Sequence, residues 1–273
     1  MTHQVDLLDR ERTGELLGSL QPQWVFHLAA MSSPAASWDD PAGTITTNAT
    51  LQANLMSSLI QLRPMPQVLI VGSGDEYGRP GGRARRLNEA TELRPVTPYG
   101  VSKVTQDLLG LQYFLSHALP VVRVRPFNHA GPRQSPQFAI ASFAQQIARI
   151  ESGSQAPRLK VGNLDARRDF TDVRDVVRAY VLAMEKGKPG EVYNIGSGTA
   201  RRLKDIVAQL LKLSRTAITL EVDESRKRTA EAEVYLCDAR KLERLTGWKP
   251  QIPLARTLRD TLEYWRSCER SAA

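Results

Sequence analysis

Short apolar runs alternate with stretches of helical periodicity along the first half of the chain. Val25–Ala29, Val68–Val71 and Val121–Arg125 read as strands. The first two are apolar runs of the kind found in parallel strands covered on both faces, whereas the third alternates apolar and basic residues. Helices are predicted between them. Leu16, Leu17 and Leu20 fall at helical spacing within 11–21, and Pro22 follows as a stop. Residues 44–62 and 99–117 read as long helices, the second opened by Pro98, whose missing N–H costs nothing in a first turn. Phe138–Glu151 is a further helix. The 32–43 segment is a loop in which Trp38 is expected to pack, and 79–95 is an irregular charged loop suited to a flap. Beyond about residue 150, short extended segments (159–161, 170–173, 192–194, 216–222) are mixed with helices at 175–186, 203–213, 239–245 and 254–265. Together these predict an α/β chain. A doubly wound (Rossmann-like) parallel sheet occupies residues 1–150, and a smaller mixed α/β, substrate-binding part occupies 151–273.

Composition narrows the function classes. The net charge of +8 (37 Lys and Arg against 29 Asp and Glu) favours an anionic ligand. The basic residues are dispersed and lack interleaved aromatics, so a nucleotide diphosphate is expected and nucleic acid is not. Cys237 and Cys268 make neither a disulfide framework nor a metal cluster, and four scattered histidines, His27 and His129 among them, form no ligand pattern, so no metal is expected. Free thiols and an N-terminus unlike a signal peptide place the protein in a reducing compartment, the cytoplasm. No apolar run is long enough for a membrane span.

The chemistry concentrates in Thr97–Lys103. Tyr99 and Lys103, four residues apart, share one helix face one turn from each other. A phenol can deliver a proton, and a neighbouring ammonium lowers the cost of the phenolate, the proton-handling half of a hydride-transfer site. Upstream, the 68–71 strand runs into Gly72-Ser73-Gly74-Asp75-Glu76-Tyr77-Gly78, where Ser73 offers a hydroxyl at a strand end.

The order His27-Leu28-Ala29-Ala30, then Ser73 with Tyr77-Gly78, then Pro98-Tyr99 with Lys103, then Arg125-Pro126-Phe127-Asn128 resembles the extended short-chain dehydrogenase/reductases that act on nucleotide sugars, over about residues 5–266. Arg125–Ser135 and Lys160–Asp175 look most like the GDP-6-deoxy-4-keto-hexose reductases, with the GDP-mannose 4,6-dehydratases as near relatives. The resemblance implies reduction of the 4-keto group of GDP-4-keto-6-deoxy-D-mannose by NADPH or NADH, giving GDP-D-rhamnose or its C4 epimer. Tyr99 would be the general acid at the C4 oxygen, Lys103 would stabilise the phenolate and hold the nicotinamide ribose, and Ser73 would bind the carbonyl.

Other roles follow from the same resemblance. Asp6 and Leu7 match adenine contacts, and Leu28, Ala29 and Ala30 stand where small residues at a strand end let a cofactor approach the backbone. Pro126 joins the cofactor-binding set. Asn128 and Arg168 match groups on the sugar-linked diphosphate, Val161 and Asn163 line a guanine pocket, and Arg228 with Glu231 matches a nucleotide-end motif in which Thr229 replaces the usual Pro. Asn48 and Asn54 match a family spacing within the 44–62 helix. Asp75 stands where the dehydratases carry a glutamate base. One methylene shorter, it would be misplaced by about 1 Å, which can cost ~100-fold, so reduction is favoured over dehydration. A homodimer through helices 44–62 and 99–117 is implied as well.

A glycine-rich strand–turn–helix is absent before Val25, and Val5–Asp9 looks like a segment that normally follows two strands and two helices. Roughly forty residues are therefore expected to be missing ahead of it, with a short form of weakened cofactor binding as the rival. A dehydratase or 4-epimerase on the same scaffold, and a catalytically idle nucleotide-sugar binder, remain the alternatives.

Overall fold

The computed structural model describes residues 1–79, 86–224 and 234–272. Eight α-helices follow in chain order among the described residues: α1 (Arg10–Leu20), α2 (Pro41–Leu59), α3 (Pro98–His117), α4 (Ala139–Glu151), α5 (Val173–Lys186), α6 (Leu203–Leu213), α7 (Arg240–Thr246) and α8 (Leu254–Ala272).

Their starts are written in capping residues. Asp9 accepts the Arg12 N–H at 3.1 Å, Asp40 accepts that of Gly43 at 2.9 Å, and Thr97 accepts that of Gly100 at 2.9 Å. Each satisfies an amide that the first helical turn leaves without a partner. Pro41 and Pro98 take the first helical positions of α2 and α3. At the other end, Gln21 and Ala118 adopt left-handed conformations (φ 44° and 56°) that close α1 and α3.

The chain gathers into two compact units, neither continuous in sequence. One comprises Met1–Phe127, Arg178–Ile195 and Asp238–Trp248; the other comprises Asn128–Val177, Gly196–Cys237 and Lys249–Ala273. A single cut at residue 150 therefore misses the division. The reason is topological: strand Val192–Ile195 completes the sheet of the first unit, so the chain must return there after residue 177.

That sheet is parallel, in the order Trp24–His27, Gln67–Val71, Val121–Pro126, Val192–Ile195. One row across it runs His27, Ile70, Arg123, Val192. Leu55, Met56, Leu59, Val68, Ile70, Leu119 and Val121 pack its core against α2 and α3. A row of polar bonds ties those two helices together. Asn48 Nδ2 donates to Ser102 Oγ at 2.9 Å, Gln52 Nε2 to the Gln106 carbonyl at 2.7 Å, and Gln106 Nε2 to the Asn48 carbonyl at 3.1 Å. In the second unit Ile140, Phe143, Ile147, Leu159, Val161, Ile206, Leu210, Leu258 and Leu262 make a separate core.

Three expectations about these elements are corrected. Trp38 lies in a one-turn helix, Ala36–Trp38, and is 60% exposed, so it does not pack into the core. Strand Val121–Pro126 has no polar face: Arg123 and Arg125 are as buried as the valines. Charge partners on α3 and on the turn after Val71 make that burial tolerable. Also, the first strand ends at His27, its last paired residue, leaving Leu28 64% exposed.

Candidate active site

The carboxyl ends of the parallel strands and the start of α3 build the site in the first unit. The Thr97 cap and Pro98 set the first turn of α3, which places Tyr99 and Lys103 on one face, with the Lys103 ammonium 5.9 Å from the centroid of the Tyr99 ring. A Cβ on Gly100 would come within 2.9 Å of the Asp75 carbonyl, so the helix start lies directly against the turn that follows strand Gln67–Val71.

That turn, Gly74–Glu76, is capped reciprocally. Ser73 Oγ accepts the Asp75 N–H at 3.1 Å, and Glu76 Oε1 accepts the Ser73 N–H at 2.7 Å. Gly72 leaves room for that carboxylate, because a Cβ would sit 2.1 Å from Glu76 Oε1. The cap leaves the Ser73 hydroxyl half-buried, and it favours the ionised form of the Tyr99 phenol. Ser73, Tyr99 and Lys103 are thus brought together. Asp75 is exposed at the start of the turn, with its charge acting on Tyr99.

Burial raises the Tyr99 phenol above its ordinary range, with the charge of Asp75 adding to it and the Ser73 hydrogen bond opposing it. Tyr99 therefore carries its proton at neutral pH. Burial brings Lys103 down to about 8, with Glu76 acting in the other direction. Its ammonium donates to the Val71 carbonyl and to Gln106 Oε1, both at 2.9 Å, leaving one N–H for a further acceptor. His27 is held down at about 4 by burial and then by Lys103, so it is neutral beside Gln106.

A layer of buried charge below Ser73 and Tyr99 escaped the sequence reading. The Glu76 carboxylate, 0% exposed, pairs with Arg125, whose Nε is 2.8 Å from Oε2 without an aligned N–H bond. Arg125 also meets Asp107 Oδ2 at 2.6 Å and the Tyr77 hydroxyl at 3.1 Å, and Tyr77 donates to Asn194 Oδ1 at 2.7 Å. Arg123 shares Asp107 Oδ2 at 3.0 Å. Two signals could have found this layer. Asp107 follows Lys103 by one helical turn, and two arginines at strand spacing interrupt a valine run.

The remaining predicted residues of this unit flank the strand ends. Asn48 Oδ1 accepts the Met31 N–H at 2.7 Å and its Nδ2 donates to the Met31 carbonyl at 3.1 Å, which anchors the chain just after Leu28, Ala29 and Ala30. Asn54 Nδ2 donates to the Leu7 and Leu8 carbonyls at 3.0 Å, and Asp6 Oδ1 accepts the Leu8 N–H at 2.9 Å, so the Asp6–Leu7 segment is fastened to α2. Pro126 ends its strand, buried.

In the second unit Asn128 is exposed and its carbonyl accepts the Thr171 N–H at 3.0 Å. Arg168 lies on strand Arg167–Asp169, antiparallel to Ala200–Arg202, and donates to the Arg167 carbonyl at 2.7 Å. Asn163 closes a turn onto the Asp165 N–H at 2.9 Å. Val161 is wholly buried in the core of this unit, so its side chain packs and does not line a pocket. Arg228 and Glu231 lie outside the described residues. Among the described residues no cluster of His, Cys, Asp and Glu could hold a metal, and no helix is long and apolar enough to cross a membrane.

The residues present fit the nicotinamide–ribose end of a dinucleotide. Lys103 keeps one unused N–H, the Tyr99 phenol keeps its proton, and Ala29 is exposed at the end of a parallel strand.

The chain is 37% identical to GDP-6-deoxy-D-mannose reductase of Pseudomonas aeruginosa over 265 residues, 97% of this chain and 87% of that protein. Its fold matches the structure of RMD from Pseudomonas aeruginosa complexed with NADPH at TM-score 0.90 and 36% identity, covering 97% of this chain and 88% of that one. It also matches UDP-glucose 4-epimerase from Thermotoga maritima with UDP-glucose, at TM-score 0.84 and 26% identity, covering 98% and 84%. The family profile of GDP-mannose 4,6 dehydratase matches residues 1–261, and the chain, with its parallel α/β sheet and its Ser73, Tyr99 and Lys103, belongs to that family.

Proposed function

We propose that the protein reduces the 4-keto group of GDP-4-keto-6-deoxy-D-mannose, with NADPH or NADH as the hydride source, to GDP-D-rhamnose or its C4 epimer. The observation that carries this reading is the fate of the two carboxylates beside Ser73. Glu76, the one long enough to serve as a base, is buried with its oxygens on the Ser73 amide and Arg125. Only the shorter Asp75 is exposed. A phenol, an ammonium and a hydroxyl around a carbonyl suffice for reduction, whereas dehydration also needs a carboxylate that removes a carbon-bound proton. The likeness to GDP-6-deoxy-D-mannose reductase supports the same choice.

Bound, the nicotinamide supplies a hydride to C4. Ser73 orients the carbonyl through its hydroxyl. Tyr99 gives its proton to the C4 oxygen as negative charge develops there. Lys103 lowers the cost of the resulting phenolate and holds the cofactor ribose through its remaining N–H. Leu28, Ala29, Ala30 and Pro126 line the cofactor's path, and Asp6 and Leu7 meet its adenine. Asn128, Asn163 and Arg168 serve the nucleotide sugar, as do Arg228 and Glu231.

The protein works as a cytoplasmic homodimer without nucleic-acid or membrane partners. Val101, Leu108 and Leu115, spaced by two helical turns along α3, are 39%, 50% and 71% exposed, and a second copy's α2 and α3 would cover them. The chemistry is tested by incubating the protein with GDP-4-keto-6-deoxy-D-mannose and either cofactor, following nicotinamide absorbance. Oxidation matched mole for mole by a GDP-deoxyhexose supports the reading. Conversion of GDP-mannose to a keto sugar with no consumption of reduced cofactor would replace it with the dehydratase.

A further inference from the structure

We propose that Glu76 is a positioning residue of this site: its carboxylate holds the Ser73 amide, two residues beyond the Val71 carbonyl that Lys103 holds, and so keeps the Ser73 hydroxyl in place beside Tyr99 and the Lys103 ammonium charged. The inference rests on the reductase reading for its catalytic consequence, though not for its electrostatic one.

Three observations carry it. The Ser73 N–H to Glu76 Oε1 bond, 2.7 Å, fixes the backbone that aims the Ser73 hydroxyl, and Gly72 leaves the carboxylate the space a Cβ would fill. Oε1 accepts the Ser73 N–H, and Oε2 lies 2.8 Å from Arg125 Nε in an ion pair without an aligned N–H bond. Burial, followed by Asp107, raises the proton affinity of Glu76 well above the carboxylate range. Arg125, the Ser73 amide and Lys103 act against that rise. Glu76 is also the charge that opposes the loss of the proton from Lys103. The other groups around the pair are neutral His27 at the end of the first strand, Tyr99 and Asp107 on α3, and Arg123 and Arg125 on strand Val121–Pro126. Since both arginines are cations, Glu76 is the anion whose removal leaves Lys103 most exposed to like charge.

Glu76→Gln preserves the shape and an acceptor for the Ser73 amide while removing the charge; Glu76→Asp preserves the charge and draws the oxygens back from the amide. The Lys103 Nζ resonance of lysine-labelled protein, assigned with Lys103→Arg, is titrated without cofactor or substrate. Glu76→Gln is expected to lower the Lys103 midpoint by about one pH unit, the scale of an opposite charge at short range. The alkaline limb of kcat should move down by the same amount, with KM for the keto sugar little changed. In Glu76→Asp the Lys103 midpoint should stay near that of the parent while kcat falls. An unmoved Lys103 midpoint in folded Glu76→Gln overturns the proposal. If Glu76→Gln does not fold, unchanged kcat in folded Glu76→Asp overturns it. Should the parent protein turn over no keto sugar, the reductase reading fails, and the Lys103 titration still decides this one.

Discussion

Asp107 gives the sharpest test of how the site is supported. Its Oδ2 accepts from both Arg125, at 2.6 Å, and Arg123, at 3.0 Å, and all three side chains are under 10% exposed. Asp107→Asn keeps the volume and removes the only carboxylate that Arg123 meets in an ion pair among the described residues. Two buried guanidiniums would then face each other across a neutral amide. Breaking a buried pair by deleting one partner costs about 3–5 kcal/mol, because the remaining charge stays in a medium that solvates it poorly. The loss should fall within that range, since Arg123 is left without a carboxylate while Arg125 keeps Glu76. Urea unfolding followed by circular dichroism measures it directly. Arg12→Ala is the control: its partner Asp9 is 3.6 Å away and both side chains are well exposed, so no change should be resolved. A loss below about 1 kcal/mol in Asp107→Asn would refute the reasoning, because it would mean water or rearrangement solvates the arginines as well as Asp107 does.

Further outcomes follow from the same geometry. Tyr99→Phe should lower kcat by roughly 10²–10⁴-fold with KM nearly unchanged, the range for a lost proton donor, as steady-state kinetics would show. His27 binds a proton in the unfolded chain near pH 6.5 and in the folded chain only near 4. Stability should therefore fall as pH drops through that window, by on the order of 3 kcal/mol, and His27→Gln should flatten the fall in urea-unfolding curves taken at each pH. Leu108→Asp, in the middle of the exposed α3 stripe, should convert the proposed dimer to a monomer by light scattering and leave the fold intact.

Local rules explain what could be read from the chain. Thr97 and Pro98 announce the start of α3 within a residue, and the four-residue step from Tyr99 to Lys103 depends only on helix geometry. Ser73 was legible because a small hydroxyl residue directly follows an apolar run. Partners far apart in sequence were not legible. Arg125 lies 49 residues beyond Glu76, and nothing local shows that the two meet, so Arg123 and Arg125 read as a polar strand face when they are core. The same limit hid the role of Asn48, whose partners Met31 and Ser102 lie on either side of it in the chain. Trp38 and Val161 erred in opposite directions. The tryptophan was expected inside and is exposed, and the valine was expected at a pocket and is core, because burial is decided by which elements pack over a residue.

The destination of the hydride tests the proposed chemistry most directly. GDP-4-keto-6-deoxy-D-mannose would be incubated with the protein and with NADPH deuterated at C4 of the nicotinamide, each stereoisomer in turn, and the product examined by proton NMR. One isomer should yield a GDP-6-deoxyhexose carrying a single deuterium at C4, one per cofactor oxidised. An unaltered keto sugar, or a deoxyhexose without deuterium from either isomer, would contradict it.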